Sequence, residues 1–161
     1  MNSPDQPTPA PQKSTFDVAK QIRAVIILGI IFTATYFISQ EVRTYLGKRA
    51  AQATGLPSVT LDTALRQSAN ANKPVLLNVA AYWCPPCRKL DNDVLSHPQV
   101  NQKILNDYVF TRIDIDSEEG QRVAQAYNVK GTPSLLVLNS KGEVLRWLSV
   151  SFQPERFIKQ L

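Results

Sequence analysis

The chain of 161 residues contains only two cysteines, Cys84 and Cys87, a single histidine, His97, and a single methionine. A structural zinc site needs about four ligands, so these side chains are too few to hold zinc within one chain. A framework of long disulfide loops is excluded as well, because no third thiol exists to pair with either cysteine. Two thiolates could still hold a soft Cu(I) ion, so a membrane-anchored copper carrier is an alternative. The sequence contains no methionine-rich segment that would support it. We therefore predict no metal and no other cofactor.

The sequence also lacks a strongly basic domain. The formal net charge is +5, but residues 1–55 carry six Lys/Arg against three Asp/Glu, whereas residues 56–161 carry twelve against ten. A near-neutral second part has no basic face of the kind that nucleic-acid binding requires. The basic excess lies around an apolar stretch, where flanking Lys and Arg are typical of membrane segments.

The N-terminal third divides into a tail, an apolar helix and a connecting segment. Residues 1–14 are rich in proline and poor in apolar side chains, which predicts a disordered tail. Residues 24–40 carry no charge over 17 positions, at the short end of the ~17–25 residues that span a bilayer. We predict a single transmembrane anchor over 15–39. Residues 40–57 are predicted to form a stalk, helical to about Ala53, with a flexible linker as the alternative.

Two other interpretations of the apolar segment are weaker. A cleaved signal peptide would need a small-x-small site soon after the apolar core, and the best match, at residues 51–53, follows four charged residues. A buried core helix would show one polar face, and this segment shows none. Charge does not fix the orientation, because three basic residues stand on either side. The larger, foldable part of the chain lies C-terminal to this segment, and we therefore predict that this part is exported. Residues 24–40 would then lie in the inner-membrane bilayer, with the domain on the periplasmic side.

From residue 58 onward, helical and strand periodicities alternate. Residues 74–82 form a nearly continuous apolar run, which predicts a strand buried on both faces. Further strands are predicted over 108–115, 134–138 and 143–148, and helices over 61–69, 85–95, after Pro98, after Ser117 and after Pro154. The last two strands are joined by a short turn. This order predicts an α/β domain over 58–161, with a mixed sheet covered by helices on both faces.

The motif Trp83-Cys84-Pro85-Pro86-Cys87 carries the chemistry. When the first cysteine of a Cys-x-x-Cys pair caps a helix, the second lies one turn further on and the two sulfurs can bond. The first thiol then lies at the positive end of the helix, which favours the thiolate, the attacking species in disulfide exchange. A ring this small stabilises little as a structural disulfide. The pattern therefore favours a redox-active dithiol.

Three segments together resemble the thioredoxin superfamily: residues 82–89 around the dithiol, residues 112–116, and residues 129–136 with the later turn at 139–143. The resemblance covers roughly 58–161. Residues 89–100 are most similar to the C-terminal periplasmic domain of the transmembrane thiol:disulfide interchange reductases. The resemblance implies a thioredoxin-like fold behind a single membrane helix.

By this resemblance, Cys84 is the exposed nucleophile and Cys87 is the buried resolving thiol. Trp83 is expected to form an apolar platform beside them, with a core-filling indole as the alternative. Pro133 matches the family's cis-proline, which packs against the dithiol and leaves the backbone of Thr132 free to pair with an extended substrate. Substrate contacts are therefore expected at Trp83, Thr132 and Pro133.

One position departs from the family pattern. Thioredoxins carry a buried aspartate six residues before the first cysteine, where this chain has Asn78. An amide does not accept a proton at neutral pH, so a water or another carboxylate must take that role. The lysine that accompanies the family's aspartate corresponds to Arg112. Asp91 and Asp93 are close in sequence, but helical geometry predicts that both lie on a solvated face.

The prediction for function is a membrane-tethered thiol-disulfide oxidoreductase that reduces disulfides of extracytoplasmic proteins. Its expected partners are protein disulfide or dithiol substrates and a membrane electron donor, because one span cannot carry electrons across the bilayer. Direction depends on the reduction potential and not on the motif alone. An oxidase or isomerase that supplies disulfides to exported proteins is the second interpretation.

Overall fold

A computed structural model describes residues 18–161 of the chain. The predicted tail at 1–14 and the first residues of the predicted anchor lie outside the described residues. The helices are α1 Val18–Ala53, α2 Leu61–Ala71, α3 Pro85–Leu90, α4 Pro98–Asp107, α5 Glu118–Ala126 and α6 Pro154–Ile158. The strands are β1 Val75–Ala80, β2 Val109–Asp114, β3 Ser134–Leu138 and β4 Val144–Leu148. A π-helical turn, Asp91–Leu95, separates α3 from α4.

The four strands form one mixed sheet in the order β2-β1-β3-β4. Strand β1 runs parallel to β2 and antiparallel to β3, and β3 pairs antiparallel with β4. All six residues of β1 are buried, as expected for a central strand covered on both faces. The predicted strands are confirmed to within two residues at each end, and so is the α/β fold class.

Two apolar clusters cover opposite faces of the sheet. On one face, side chains of the sheet such as Leu76 pack against the helical segments 85–107 and 154–158. On the other face, Val75, Leu77 and Val79 pack against α2 and α5. Because successive side chains of a strand point to opposite faces, Asn78 lies on the same face as Leu76. The dithiol helix and Asn78 are therefore on one side of the sheet.

Local sequence signals account for the helix starts. Thr60 and Ser117 each accept a hydrogen bond from a backbone N–H three residues later, at 3.3 and 2.9 Å, which caps α2 and α5. Proline occupies the first turn of α3, α4 and α6, where its missing N–H has no intrahelical partner to lose. The predicted helix over 85–95 is wrong in one respect, because regular α-helix ends at Leu90 and the chain continues as the π-helical turn.

The chain divides into two compact units, and the second comprises Ile38–Leu161. The predicted domain starts at residue 58, but in the structure residues 38–57 belong to the same unit as the sheet. Helix α1 is long and apolar enough to be a candidate membrane span. None of its most apolar 18-residue window is buried, which argues against the alternative of a core helix.

Candidate functional site

The two cysteines lie at the start of α3, at the end of the sheet where β1 finishes. Cys84 is the N-cap of α3, and its Sγ accepts a hydrogen bond from the Cys87 backbone N–H at 3.3 Å. Both cysteines are free thiols in this structure. The one-turn spacing and the N-cap position predicted from the motif are therefore present.

The Cys84 thiol also faces the loop before β3. Its Sγ donates to the Thr132 carbonyl oxygen at 3.6 Å, and the peptide bond between Thr132 and Pro133 is cis. Both loop residues are partly exposed. The structure thus brings together Cys84, Cys87, Thr132 and Pro133, and their roles in catalysis and substrate binding stay predictions.

The expected exposure of Cys84 is wrong in this structure. Cys84 is only 4% exposed and Cys87 is 1% exposed. The sulfur of Cys84 turns inward because it contacts both the Cys87 amide and the Thr132 carbonyl. The surface that the first thiol offers to a substrate is therefore small.

Trp83 lies beside the dithiol and is 47% exposed, so the alternative of a core-filling indole is wrong. Its indole Nε1 donates a hydrogen bond to Asp116 Oδ2 at 2.6 Å. Asp116 follows the end of β2, and its own backbone N–H donates to Asp114 Oδ1 at 3.2 Å. This partner of Trp83 was not predicted from the sequence. A usable signal was present, because the carboxyl ends of the parallel strands β1 and β2 meet at one edge of the sheet.

The prediction that Asp91 lies on a solvated face is also wrong. Asp91 is 1% exposed, and both of its carboxylate oxygens lie 2.7 Å from Arg112 Nη1. Only Asp93 is on the surface, where it pairs with Lys89. Asp91 lies four residues after Cys87 and donates its backbone N–H to the Cys87 carbonyl. Residues four apart lie on one face of a helix, so Asp91 follows Cys87 inward.

Asn78, Arg112 and Asp91 form a buried polar group behind the dithiol helix. Asn78 pairs in register with Arg112 across β1 and β2. Asn78 is completely buried, and neither polar atom of its amide has a hydrogen-bond partner among residues 18–161. The guanidinium of Arg112 therefore pairs with a carboxylate from the π-helical turn, and Asn78 takes no part in that ion pair.

Burial controls the titration of this region. It raises the pKa of Cys87 to about 12, and the hydrogen bond with Cys84 acts in the same direction. Burial also raises the pKa of Asp91, while the charge and hydrogen bonds of Arg112 oppose that rise. Cys87 is therefore a protonated thiol at neutral pH, and its proton must leave before it can attack a disulfide.

The raised pKa of Cys87 predicts a specific dependence of stability on pH. Because folding favours the protonated thiol, its contribution is complete below pH 9 and is lost as pH rises toward 12. We expect the free energy of unfolding of the dithiol form to fall by about 2–4 kcal/mol relative to Cys87→Ser over that interval. Urea titrations of both proteins under reducing conditions provide the measurement. Parallel curves for the two proteins between pH 9 and 12 would contradict the assignment.

His97, the single histidine, is the N-cap of α4 and takes no part in the dithiol site. Among residues 18–161, no group of three or more His, Cys, Asp or Glu side chains could hold a metal ion.

Comparisons with known proteins agree with this geometry. The thioredoxin-like domain family matches residues 61–161. Thiol:disulfide interchange protein DsbD 1 of Pseudomonas aeruginosa is 38% identical over 85 residues, which cover 52% of this chain and 14% of that protein. DsbD of Escherichia coli K12 is 36% identical over 73 residues, which cover 44% of this chain and 13% of that protein. The chain thus matches only a small part of these relatives.

Solved structures are also similar to this chain. A thioredoxin from Thermus thermophilus has a TM-score of 0.59 at 27% identity, covering 65% of this chain and 83% of that chain. The C-terminal domain of Neisseria meningitidis DsbD in its reduced form has a TM-score of 0.54 at 27% identity, covering 62% of this chain and 90% of that chain. The match therefore covers nearly the whole of that DsbD domain.

Proposed function

The chain belongs to the thioredoxin-like domain family, and we propose that it is a thiol-disulfide oxidoreductase that reduces disulfides of extracytoplasmic proteins through Cys84 and Cys87. The observation that carries this proposal is the position of Cys84. Its sulfur caps α3, contacts the Cys87 amide and faces the Thr132 carbonyl, which precedes a cis-proline. One thiol is thereby held next to both its resolving partner and a segment with backbone available to a substrate.

Reduction proceeds in two exchange steps. The Cys84 thiolate attacks one sulfur of the substrate disulfide, which forms a mixed disulfide and releases the other substrate sulfur as a thiolate. The Cys87 thiolate then attacks the sulfur of Cys84 and releases the second substrate thiolate. Two electrons pass to the substrate, and the protein is left with a Cys84–Cys87 disulfide. A dithiol donor must reduce that disulfide before the next cycle.

The second step requires a proton acceptor for Cys87. The amide of Asn78 does not accept this proton at neutral pH. We assign the role to Asp91, either directly or through a water, because Asp91 is the buried carboxylate one helical turn after Cys87. The pairing with Arg112 holds this carboxylate in place in the interior.

Trp83, Thr132 and Pro133 are proposed to contact the substrate. The exposed indole of Trp83 is held by Asp116 beside the dithiol, which suits an apolar platform. Thr132, which is partly exposed, would pair through its backbone with an extended substrate segment. The substrates are therefore proposed to be proteins or peptides that present a disulfide in an extended segment.

Tethering is the second part of the proposal. The apolar part of α1 would anchor the chain in the inner membrane, with the oxidoreductase unit on the periplasmic side, and a membrane protein would supply electrons. The length and apolar surface of α1 support the anchor. Trapping of mixed disulfides in intact cells by Cys87→Ser would identify both the substrates and the electron donor.

The direction of electron flow is tested by the reduction potential. Equilibration of the full chain with glutathione is expected to give a potential between about −200 and −270 mV, in the range of glutaredoxins and thioredoxins. A potential near about −120 mV, as for a strong oxidant, would contradict the reductase proposal and favour the oxidase. Reduction of insulin by the wild-type protein and by Cys87→Ala provides the accompanying activity test. An unchanged steady-state rate in Cys87→Ala would argue against exchange through the dithiol.

A further inference from the structure

The C-terminal part of α1 lies directly against the peptide that leads into the dithiol. A Cβ atom built on Gly47 would lie 1.8 Å from the Tyr82 carbonyl oxygen and 2.7 Å from its carbonyl carbon. Those atoms are backbone, so they cannot move aside as the end of a flexible side chain can. Only glycine allows two backbones to approach this closely. Gly47 is therefore a contact point between α1 and the residue two positions before Cys84.

The contact belongs to a docked segment. Ala50 and Thr54, one and two turns after Gly47, are buried at 6% and 8% exposure. The side chain of Asn101 donates to the Thr54 carbonyl at 2.7 Å and thereby fixes the end of the helix to α4. Lys48 Nζ lies 5.7 Å from the centre of the Tyr82 ring. The helix end is thus held at several points after Gly47, and residues 47–54 behave as part of the domain.

The backbone that Gly47 touches determines the position of Cys84. The Cys84 N–H donates to the Ala81 carbonyl at 3.3 Å, which closes a turn with Tyr82 and Trp83 at its centre. The same turn places the sulfur of Cys84 at 3.6 Å from the Thr132 carbonyl oxygen. A displacement of Tyr82 therefore changes the surroundings of the attacking sulfur.

We propose that Gly47 is a positioning residue, through which the C-terminal part of α1 supports the turn at 81–84 and so sets the reactivity of Cys84. The inference rests on the proposed role of Cys84. By this proposal, the segment between the candidate span and the sheet has a functional role. Residues 47–54 are a functional part of the oxidoreductase and not a spacer.

The matched experiment compares Gly47→Ala with Gly29→Ala in the full chain in detergent. Both substitutions lie in the same helix and favour it equally, but among the described residues nothing apart from the adjoining backbone of the helix itself lies within 4 Å of a Cβ built on Gly29. In Gly47→Ala the helix and the turn must separate by about 1.5 Å to restore normal contact. A misplacement of about 1 Å can reduce a rate by up to about 100-fold. We expect Cys84 alkylation and disulfide reduction to slow by about tenfold or more in Gly47→Ala only.

Two readouts separate positioning from a loss of stability. The first is the pH profile of alkylation below pH 9, which reports Cys84 because burial raises the pKa of Cys87 to about 12. The second is amide hydrogen exchange, which should increase in residues 81–90 of Gly47→Ala and stay unchanged in β3. An unchanged pH profile, or faster exchange throughout the sheet, would overturn the inference.

A second variant covers the case in which Gly47→Ala does not fold. Asn101→Ala removes the hydrogen bonds to the carbonyls of Thr54 and Leu95 and introduces no clash, and we expect the same changes at smaller amplitude. Wild-type alkylation and exchange in this variant would overturn the inference. Neither readout requires turnover. An inactive wild-type protein would therefore contradict the proposed function and leave this inference to be decided by alkylation and exchange.

Discussion

Replacement of Cys84 by alanine is expected to lower the rate of insulin reduction by about 10³-fold or more, to the rate without enzyme. The reason is that both exchange steps of the proposed mechanism pass through the sulfur of this residue. In that mechanism Cys84 attacks the substrate disulfide, and Cys87 later breaks the mixed disulfide that results. The only other thiol in the sequence is Cys87, which is 1% exposed and so is not accessible to a substrate disulfide. The measurement is the initial rate of insulin reduction by the full chain with a chemical dithiol as donor.

Cys87→Ser is the matched control for this prediction. Its hydroxyl keeps the size of the buried side chain but cannot resolve a mixed disulfide at neutral pH. This variant should therefore form a stable adduct with the substrate through Cys84, visible as an increase in mass that a reductant reverses. Cys84→Ala should form no adduct. An adduct that formed through Cys87 in Cys84→Ala would reverse the assignment of the two thiols.

Asp91→Ala is expected to lower the free energy of unfolding by about 3–5 kcal/mol. Arg112 is 7% exposed, and both carboxylate oxygens of Asp91 lie 2.7 Å from its Nη1. Loss of the carboxylate leaves the guanidinium buried without its counter-ion. The cost of that unpaired charge exceeds the value of the pair itself. Urea unfolding of the reduced protein at pH 7 measures the change.

Two further variants make the Asp91 prediction specific. Asp93→Ala, two residues away, removes only the exposed pair with Lys89 and should cost less than about 1 kcal/mol. The double variant Asp91→Leu with Arg112→Met removes both charges and should recover most of the loss, because apolar residues of similar volume can replace a buried pair. Equal losses for Asp91→Ala and Asp93→Ala would show that the buried pair contributes no more than a surface pair.

The local signals of the sequence predicted most of the fold. A nearly continuous apolar run identified β1, and N-cap residues and first-turn prolines placed the helix starts. These features are local, because a central strand must be apolar on both faces and a helix must satisfy its first N–H groups. The same locality explains why the dithiol could be recognised, since Cys84 and Cys87 lie within one helical turn of each other.

The incorrect predictions concern residues whose surroundings come from distant parts of the chain. Asp91 and Asp93 look alike in the sequence, but one lies four residues after Cys87 and turns inward to meet Arg112. A count of helical positions from Cys87 would have suggested this difference. The inward position of the Cys84 sulfur depends on Thr132, which is 48 residues away. No local pattern contains that contact.

Gly47 is another residue whose tertiary contact could not be predicted from the sequence. An isolated glycine within a helical pattern often marks close packing, and that signal was available. The identity of the partner was not available, because the Tyr82 carbonyl is a backbone atom in a turn that any residue could form. The stalk predicted for residues 40–57 followed from the local sequence pattern, which does not record what a helix touches.

The sequence by itself determined that this chain combines a candidate membrane helix, a mixed α/β domain and one pair of thiols a single turn apart. These properties follow from periodicity, capping and spacing, which act over a few residues. Tertiary structure decided which carboxylate is buried with Arg112, how far the Cys84 sulfur is covered, and which backbone Gly47 touches. Each of these depends on segments that meet only when the sheet is assembled, and burial then sets the pKa of Cys87 and the cost of an unpaired charge.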